Sequence, residues 1–290
     1  MADRPPSLAP DHPLFGLGYS RPFRTRQFVH LDEDTAAEGS AAVAEEVPVA
    51  LIYNRRPHVV MMATPADYED FAVGFTLSEE IVASAAEIRD VTVMPYAQGV
   101  EIQLIIPDAA GDVLAGRSRE LIGRTGCGLC GVQTVSEALR PARTVTADWT
   151  LSPDALWRAE AALAGRQTIN QATGAVHAAA WATPDGELQV VREDVGRHNA
   201  LDKVTGALAR AGTDPAGGFV VMTSRASYEL VQKVAVAGVP ILATVSRPTG
   251  LAVRLADAAG LTLIALLRGH SANVYAHPAR VTAERVSPTL

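Results

Sequence analysis

Apolar and polar positions follow two rhythms along the chain. Residues 47–53 and 59–63 are β-rich runs on either side of Asn54-Arg55-Arg56-Pro57, which reads as a hairpin turn. Residues 65–82 have helical spacing, with Tyr68, Phe71, Phe75 and Ile81 available for one face. Residues 91–94 and 100–106 form a second pair of strand-like runs around Ala97-Gln98-Gly99. This pattern predicts a small sheet crossed by one helix, an α+β unit over residues 24–115.

The second half alternates longer helices with continuous apolar runs. Ser152 and Pro153 have the N-cap and first-turn chemistry of a helix over 153–165. Strands 175–182 and 188–192 are joined by Pro184-Asp185-Gly186, and a helix over 197–211 ends near Gly212. Three uninterrupted apolar strands follow, 218–223, 240–245 and 261–267, separated by helices 227–237 and 250–259. Apolar strands alternating with helices imply buried parallel pairing through right-handed crossovers. Residues 116–290 are therefore read as a three-layer α/β domain preceded by a glycine-rich segment. Pro5, Pro6, Pro10 and Pro13 mark the first twenty residues or so as a flexible leader.

Composition narrows the function classes. The chain has 290 residues, 48% of them hydrophobic and 20% charged, which suits a folded globular protein rather than a disordered one. A formal net charge of −7 argues against broad nucleic-acid binding, which needs a basic face. The longest clean apolar run, 261–267, is too short to cross a bilayer, and the N-terminal stretch has no apolar core of a signal peptide. A cytoplasmic location is expected. The two cysteines, Cys127 and Cys130, both fall in Gly126-Cys127-Gly128-Leu129-Cys130-Gly131, whereas a disulfide-stapled secreted fold spreads its cysteines out.

That segment has three chemical readings. Half a zinc site needs two more ligands; no second cysteine pair exists, and although His177, His198, His270 and His277 could supply them, no H-x3-5-H pair follows at finger spacing. A thioredoxin-like dithiol should open a helix early in a βαβ unit. A glycine-flanked loop carrying a nucleophilic cysteine is the third, with Arg117, Arg119 and Arg124 nearby to favour thiolate.

Further candidates sit at strand ends. Strand 218–223 runs into Ser224-Arg225, and strand 240–245 into Ser246-Arg247-Pro248-Thr249. If the strands are parallel neighbours, both turns share one carboxyl edge, where helix N-termini favour anions and open α/β sheets bind ligands. Capping and solvated arginines are the plainer explanation of either turn alone. A third such turn is Leu266-Leu267-Arg268-Gly269-His270-Ser271-Ala272. Glu193 to Lys203 packs acid, base, histidine and amide into a strand end and helix start, with Asp194 as a possible cap and Arg197 or His198 facing a ligand. A charged cap alone would explain Glu193 and Lys203. His177, in an apolar strand, is either a satisfied core residue or a site group.

These segments together resemble the formate dehydrogenase accessory sulfurtransferase family (FdhD/NarQ). The matching runs are C-G-L-C-G from Cys127, E-D-V-G-R-H-N-A-L-D-K-V from Glu193 and S-R-A-S-Y-E-L-V-Q-K from Ser224. G-V-P-I-L-A-T-V-S-R-P-T from Gly238, N-V-Y-A-H-P from Asn273 and A-T-P-A-D-Y-E-D-F-A-V-G-F from Ala63 extend the match. The resemblance implies a cytidine-deaminase-like α/β core, a homodimer, and transfer of persulfide sulfur from a cysteine desulfurase. The acceptor would be the molybdenum cofactor in its bis(molybdopterin guanine dinucleotide) form, needed for formate dehydrogenase activity. By the match, Cys127 would carry the persulfide and Cys130 assist it. Leu266 to Ala272 would fall where the family binds the cofactor, although Leu266 and Leu267 are aliphatic where an aromatic residue is common. Arg197, His198, Ser224, Arg225, Ser246, Arg247 and Thr249 would complete the cofactor site. Deamination is not expected, because His177 is followed by Ala178-Ala179 rather than the H-x-E of zinc deaminases. The rival from another class is a non-catalytic chaperone of cofactor or apoenzyme whose cysteines hold zinc.

Overall fold

The computed structural model describes residues 21–96, 98–118 and 143–282. The leader, Ala97 and the cysteine segment, including Arg119, Arg124, Cys127 and Cys130, lie outside the described residues.

The first half builds two sheets. Among the described residues, strands β1 (Phe23–Leu31) and β2 (Ala36–Ala44) pair only with each other, as an antiparallel ribbon. Strands β3 (Val47–Tyr53), β4 (Arg56–Ala63), β5 (Asp90–Tyr96) and β6 (Gly99–Ile105) form a sheet in the order β4-β3-β6-β5. Both expected hairpins are present, with β3 and β6 parallel at the centre. The first hairpin turn is tighter than 54–57: Asn54 and Arg55 both take positive φ (49° and 66°), so two residues suffice and β4 begins at Arg56. Helix α1 (Tyr68–Ser78) lays Phe71, Ala72 and Phe75 on this sheet. It is shorter than 65–82 because Asp67 and Glu80 sit at positive φ on either side. Helix α2 (Asp108–Ser118) follows.

The second half builds a six-stranded sheet in the order β12-β11-β10-β9-β7-β8. Its strands are β7 (His177–Ala182), β8 (Leu188–Asp194), β9 (Phe219–Met222), β10 (Ile241–Thr244), β11 (Thr262–Arg268) and β12 (Ser271–Ala276). The three apolar strands β9, β10 and β11 are parallel neighbours, as their patterning requires. The β7–β8 hairpin and β12 add antiparallel edges. Helices α3 (Pro153–Gly165) and α4 (Thr168–Thr173) precede β7; α5 (Arg197–Ala211), α6 (Tyr228–Val236) and α7 (Gly250–Ala259) form the crossovers.

Alternation along each strand divides the core. Ala179, Trp181, Val220, Met222, Leu242 and Leu263 pack with α5, α6 and α7. Ala178, Ala180, Val221, Ala243 and Ile264 face the other way, onto Leu156, Ala159 and Leu163 of α3. Helices thus cover both faces of a mixed α/β sheet.

The two halves meet where α1 crosses α5. Gly74 and Gly206 lie at the crossing, and a Cβ on Gly206 would come 2.8 Å from the Gly74 nitrogen and overlap the Asp70 carbonyl. Ion pairs surround the crossing, those of Lys203 with Asp194 and Lys233 with Asp202 buried on both sides. Lys203 meets Asp194 at 2.8 Å and donates to the Thr64 carbonyl at 3.1 Å. Lys233 meets Asp202 and Glu79, each at 3.0 Å, while Ser78 donates to Asp202 at 2.6 Å. Asp70 receives Arg192 at 2.7 Å and also binds Arg210.

Candidate functional site at the carboxyl edge of the sheet

Because β9 and β10 are parallel neighbours, their following turns leave the sheet side by side. Ala226 and Pro248 form a parallel bridge beyond the strands, and the Thr249 nitrogen donates to the Ala226 carbonyl at 3.0 Å. The Leu266 nitrogen donates to the Ser246 carbonyl at 3.2 Å, which joins the third turn to the second. Leu266 and Gly269 both take φ of 56°, so β11 breaks its register there before β12 begins. The three turns thus form one continuous edge, as expected for parallel neighbouring strands.

Not all of their residues are open. Ser224 is buried and donates to the Arg225 carbonyl at 3.2 Å, and Leu267 is wholly buried in the core. Thr249 is the N-cap of α7, its hydroxyl accepting from the Ala252 nitrogen at 3.3 Å. Arg225, Ser246, Arg247, Arg268, Gly269, His270 and Ser271 are exposed along the edge, with Leu266 and Ala272 partly buried. His270 stacks on Trp157 of α3, ring centroids 6.1 Å apart.

Strand β8 ends, and β7 begins, at this same edge, since β7 is antiparallel to both β8 and β9. Helix α5 therefore opens there with Arg197 and His198 behind Gly196, an N-cap that offers no side-chain acceptor to the first turn. His198 is buried, its Nε2 3.9 Å from Glu229. Burial, then the charges of Arg197 and Lys233, push its pKa down to about 4 against the weaker pull of Glu229 and Glu79. The imidazole is neutral at neutral pH. Arg197 Nε is buried and has no hydrogen-bond partner among the described residues.

The acidic pair before α5 is structural. Glu193 accepts from the nitrogens of Ile169 and Asn170 at 2.9 and 2.8 Å, capping α4 rather than α5. Asp194 is fully buried, accepts from Gly196 and Asn199 at 2.8 and 3.0 Å, and neutralises Lys203. The charged-cap explanation thus holds for Glu193, and Lys203 is an internal counter-ion.

On the α3 side of the edge lies a cleft of about 380 Å³. His177 lines it from the first residue of β7, with Thr223 and Val245 from the ends of β9 and β10. Glu160, Gln167 and Asn170 line it from α3, α4 and the link between them. Burial first, then the Arg197 charge, lowers the His177 pKa. Glu160, Gln167, Asn170, Thr223 and Trp157 carry no motif in the sequence; only the docking of α3 and α4 brings them to the edge. Among the described residues no cluster of three or more His, Cys, Asp or Glu side chains could hold a metal ion. Nor is any described helix long and apolar enough to cross a membrane.

Comparison with known proteins agrees with this architecture. The sequence model of the FdhD/NarQ family matches residues 44–282. A protein of Xanthomonas euvesicatoria pv. vesicatoria (strain 85-10) named sulfur carrier protein FdhD is 52% identical over 239 residues, covering 82% of this chain and 85% of its own. One of the same name from Bordetella petrii is 49% identical over 246 residues, covering 85% and 88%. The crystal structure of a formate dehydrogenase accessory protein from Desulfotalea psychrophila superposes with a TM-score of 0.73 at 27% identity, over 90% of this chain and all of that one. With the family's pattern running from the end of the β1–β2 ribbon to the end of the described chain, this protein belongs to the FdhD/NarQ family.

Proposed function

We propose that the protein is a cytoplasmic sulfurtransferase that relays persulfide sulfur from a cysteine desulfurase to the molybdenum cofactor, as the bis(molybdopterin guanine dinucleotide) form, for formate dehydrogenase. The observation that carries this reading is membership of a family whose similar members are named sulfur carrier proteins, in a chain whose two cysteines share one C-G-L-C-G segment. The Cys127 thiolate attacks the outer sulfur of the donor persulfide. A new S–S bond forms on Cys127, the donor's S–S bond breaks, and the donor cysteine leaves as thiolate. Cys130 assists by shielding or releasing the bound sulfur. The cofactor is the substrate of the second step and lies along the carboxyl edge of the six-stranded sheet.

The chemistry of that edge supports the reading. Arg225, Arg247 and Arg268 are exposed at three adjoining turns, and α5 opens there without a side-chain cap beside Arg197. Guanidinium forks and free helix N–H groups suit the phosphates of a dinucleotide. The cytidine-deaminase-like arrangement of the core and a homodimeric state belong to the same proposal, as does docking to the formate dehydrogenase apoenzyme.

Intact-mass spectrometry after incubation with a cysteine desulfurase, pyridoxal phosphate and cysteine tests it. Wild type should gain one thiol-labile sulfur, and Cys127→Ala should gain none while still binding nucleotide. Absence of any gain, with stoichiometric zinc in protein purified without added metal, would replace the relay by a metal-holding chaperone.

A further inference from the structure

We infer that the outer edge of β1 is an interface between two copies of this chain, which pair their β1 strands antiparallel about Gln27 into one four-stranded sheet. This deepens the homodimeric state proposed above, on which it rests, by naming the surface and its register.

A two-stranded hairpin is marginal in water by itself and gains stability from a third strand or from cover over an apolar face. Strand β2 runs beside α4, whereas the outer edge of β1 pairs with no other strand among the described residues. In the register of Phe23 with Ala44 and Leu31 with Ala36, one face of β1 carries Phe23, Thr25, Gln27, Val29 and Leu31. Phe23, Val29 and Leu31 are 37%, 60% and 74% exposed there. Phe28, on the opposite face, already lies across Gly39, where a Cβ would come 2.6 Å from its ring. Residues 23–43 precede the family's pattern, which begins at residue 44, so the family match gives no account of the ribbon.

The hydrogen bonds of the ribbon fix which backbone groups are free. Asp32 and Thr35 exchange bonds of 2.9 and 3.4 Å at the tip, and the Glu45 nitrogen donates to the Pro22 carbonyl at 2.9 Å at the base. Even-numbered residues of β1 therefore bond to β2, while Phe23, Thr25, Gln27, Val29 and Leu31 turn N–H and C=O outward. Neither proline nor bulge, devices that keep edge strands apart, interrupts this row, and both arginines of β1 are drawn to Glu45. An antiparallel neighbour must match outward residue to outward residue. Alignment about Gln27 uses them all: Gln27 meets Gln27 of the second copy, Thr25 meets its Val29, and Phe23 meets its Leu31.

Charge selects a second copy as the occupant. The tip is acidic, with Asp32, Glu33 and Asp34, and the base is basic, with Arg21, Arg24 and Arg26 against Glu45 and Glu46. A strand charged oppositely at its two ends complements a reversed copy of itself, as a two-fold axis requires. The same alignment sets Arg21 opposite Glu33 of the second copy, twice by symmetry. Both residues are exposed, and neither side chain forms an ion pair with any described residue. The apolar rows of the two copies then run together on one face of the four strands.

Sedimentation velocity of the full chain at micromolar concentration tests it. Wild type should sediment as a dimer. Arg21→Glu and Glu33→Arg should each weaken dimerisation about fivefold or more, because each creates two like-charged pairs in the dimer. The double variant Arg21→Glu/Glu33→Arg should regain it, and a regain cannot come from misfolding. Gln27→Pro should also weaken it, since proline removes an outward N–H at the two-fold axis and leaves the β1–β2 ladder its bonds. A wild-type monomer overturns both this interface and the homodimeric state. A dimer that none of the variants weakens overturns the inference alone and moves the interface elsewhere; so does a double variant no tighter than the singles. Persulfide loading of Cys127, measured on the same samples, keeps the sulfur relay separate. A monomer that loads sulfur sinks the interface and leaves the relay, and a dimer that gains no sulfur sinks the relay and leaves the interface.

Discussion

Gly206 in α5 and Gly165 at the end of α3 present the same chemical change with opposite expected signs. Alanine in a helix is favoured over glycine by about 1 kcal/mol from propensity alone. At Gly206 the added methyl meets the backbone of α1, overlapping the Asp70 carbonyl and standing 2.8 Å from the Gly74 nitrogen. Neither atom belongs to a flexible side chain, so the helices must separate, at the upper end of the roughly 1–3 kcal/mol seen for overpacking. Separation also strains the contacts of Asp70 with Arg192 and Arg210. Subtracting the propensity gain leaves Gly206→Ala less stable than wild type by about 2 kcal/mol. At Gly165 nothing lies within 4 Å of the added carbon and φ is not positive. Gly165→Ala should therefore raise stability by up to about 1 kcal/mol. Urea unfolding of the three proteins, followed by circular dichroism, reads both shifts in the midpoint. A Gly206→Ala protein as stable as wild type would refute the close crossing, and with it the rigid seating of the helix that carries Arg197 and His198.

Lys233→Met should cost about 3–5 kcal/mol, because Asp202 is left as a buried carboxylate without its counter-ion. Adding Asp202→Asn should recover part of that loss in the same urea assay. The second concerns pH. His198 has a folded pKa near 4, below its ordinary 6.5, so the fold favours the neutral ring. Its contribution is complete above pH 6.5 and is lost as pH falls toward 4, on the order of 3 kcal/mol in all. His198→Asn should flatten the stability curve across that window while Arg197, Lys233, Glu229 and Glu79 remain in place. An unchanged slope between pH 6.5 and 4 would show that His198 is not the group responsible.

Several elements and the family were legible in the sequence because they depend on local or periodic information. The apolar runs of β9, β10 and β11 could be satisfied only by burial on both faces, and their spacing by helices led to parallel pairing. Ser152 and Pro153 set the start of α3, and Gly212 the end of α5, because capping geometry is decided within a few residues. The six motif segments, C-G-L-C-G and E-D-V-G-R-H-N among them, together suggested the family that comparison then established.

Other features were decided only by the tertiary structure. The β1–β2 ribbon and β12 carry exposed, weakly alternating residues, and α4 is six residues long, so none has a strong local signature. That Glu193 caps α4 and Asp194 neutralises Lys203 depends on chain packing, which no spacing along one strand encodes. Ser224 and Leu267 lie in the sequence beside open site candidates and are buried, because a side chain's exposure at a turn follows from the neighbouring strand. Glu160, Asn170, His177 and Thr223 are separated by up to some sixty residues and share no motif. Their common cleft exists because burying the apolar face of α3 lays that helix across the sheet and carries Glu160 to the edge where β9 and β10 end.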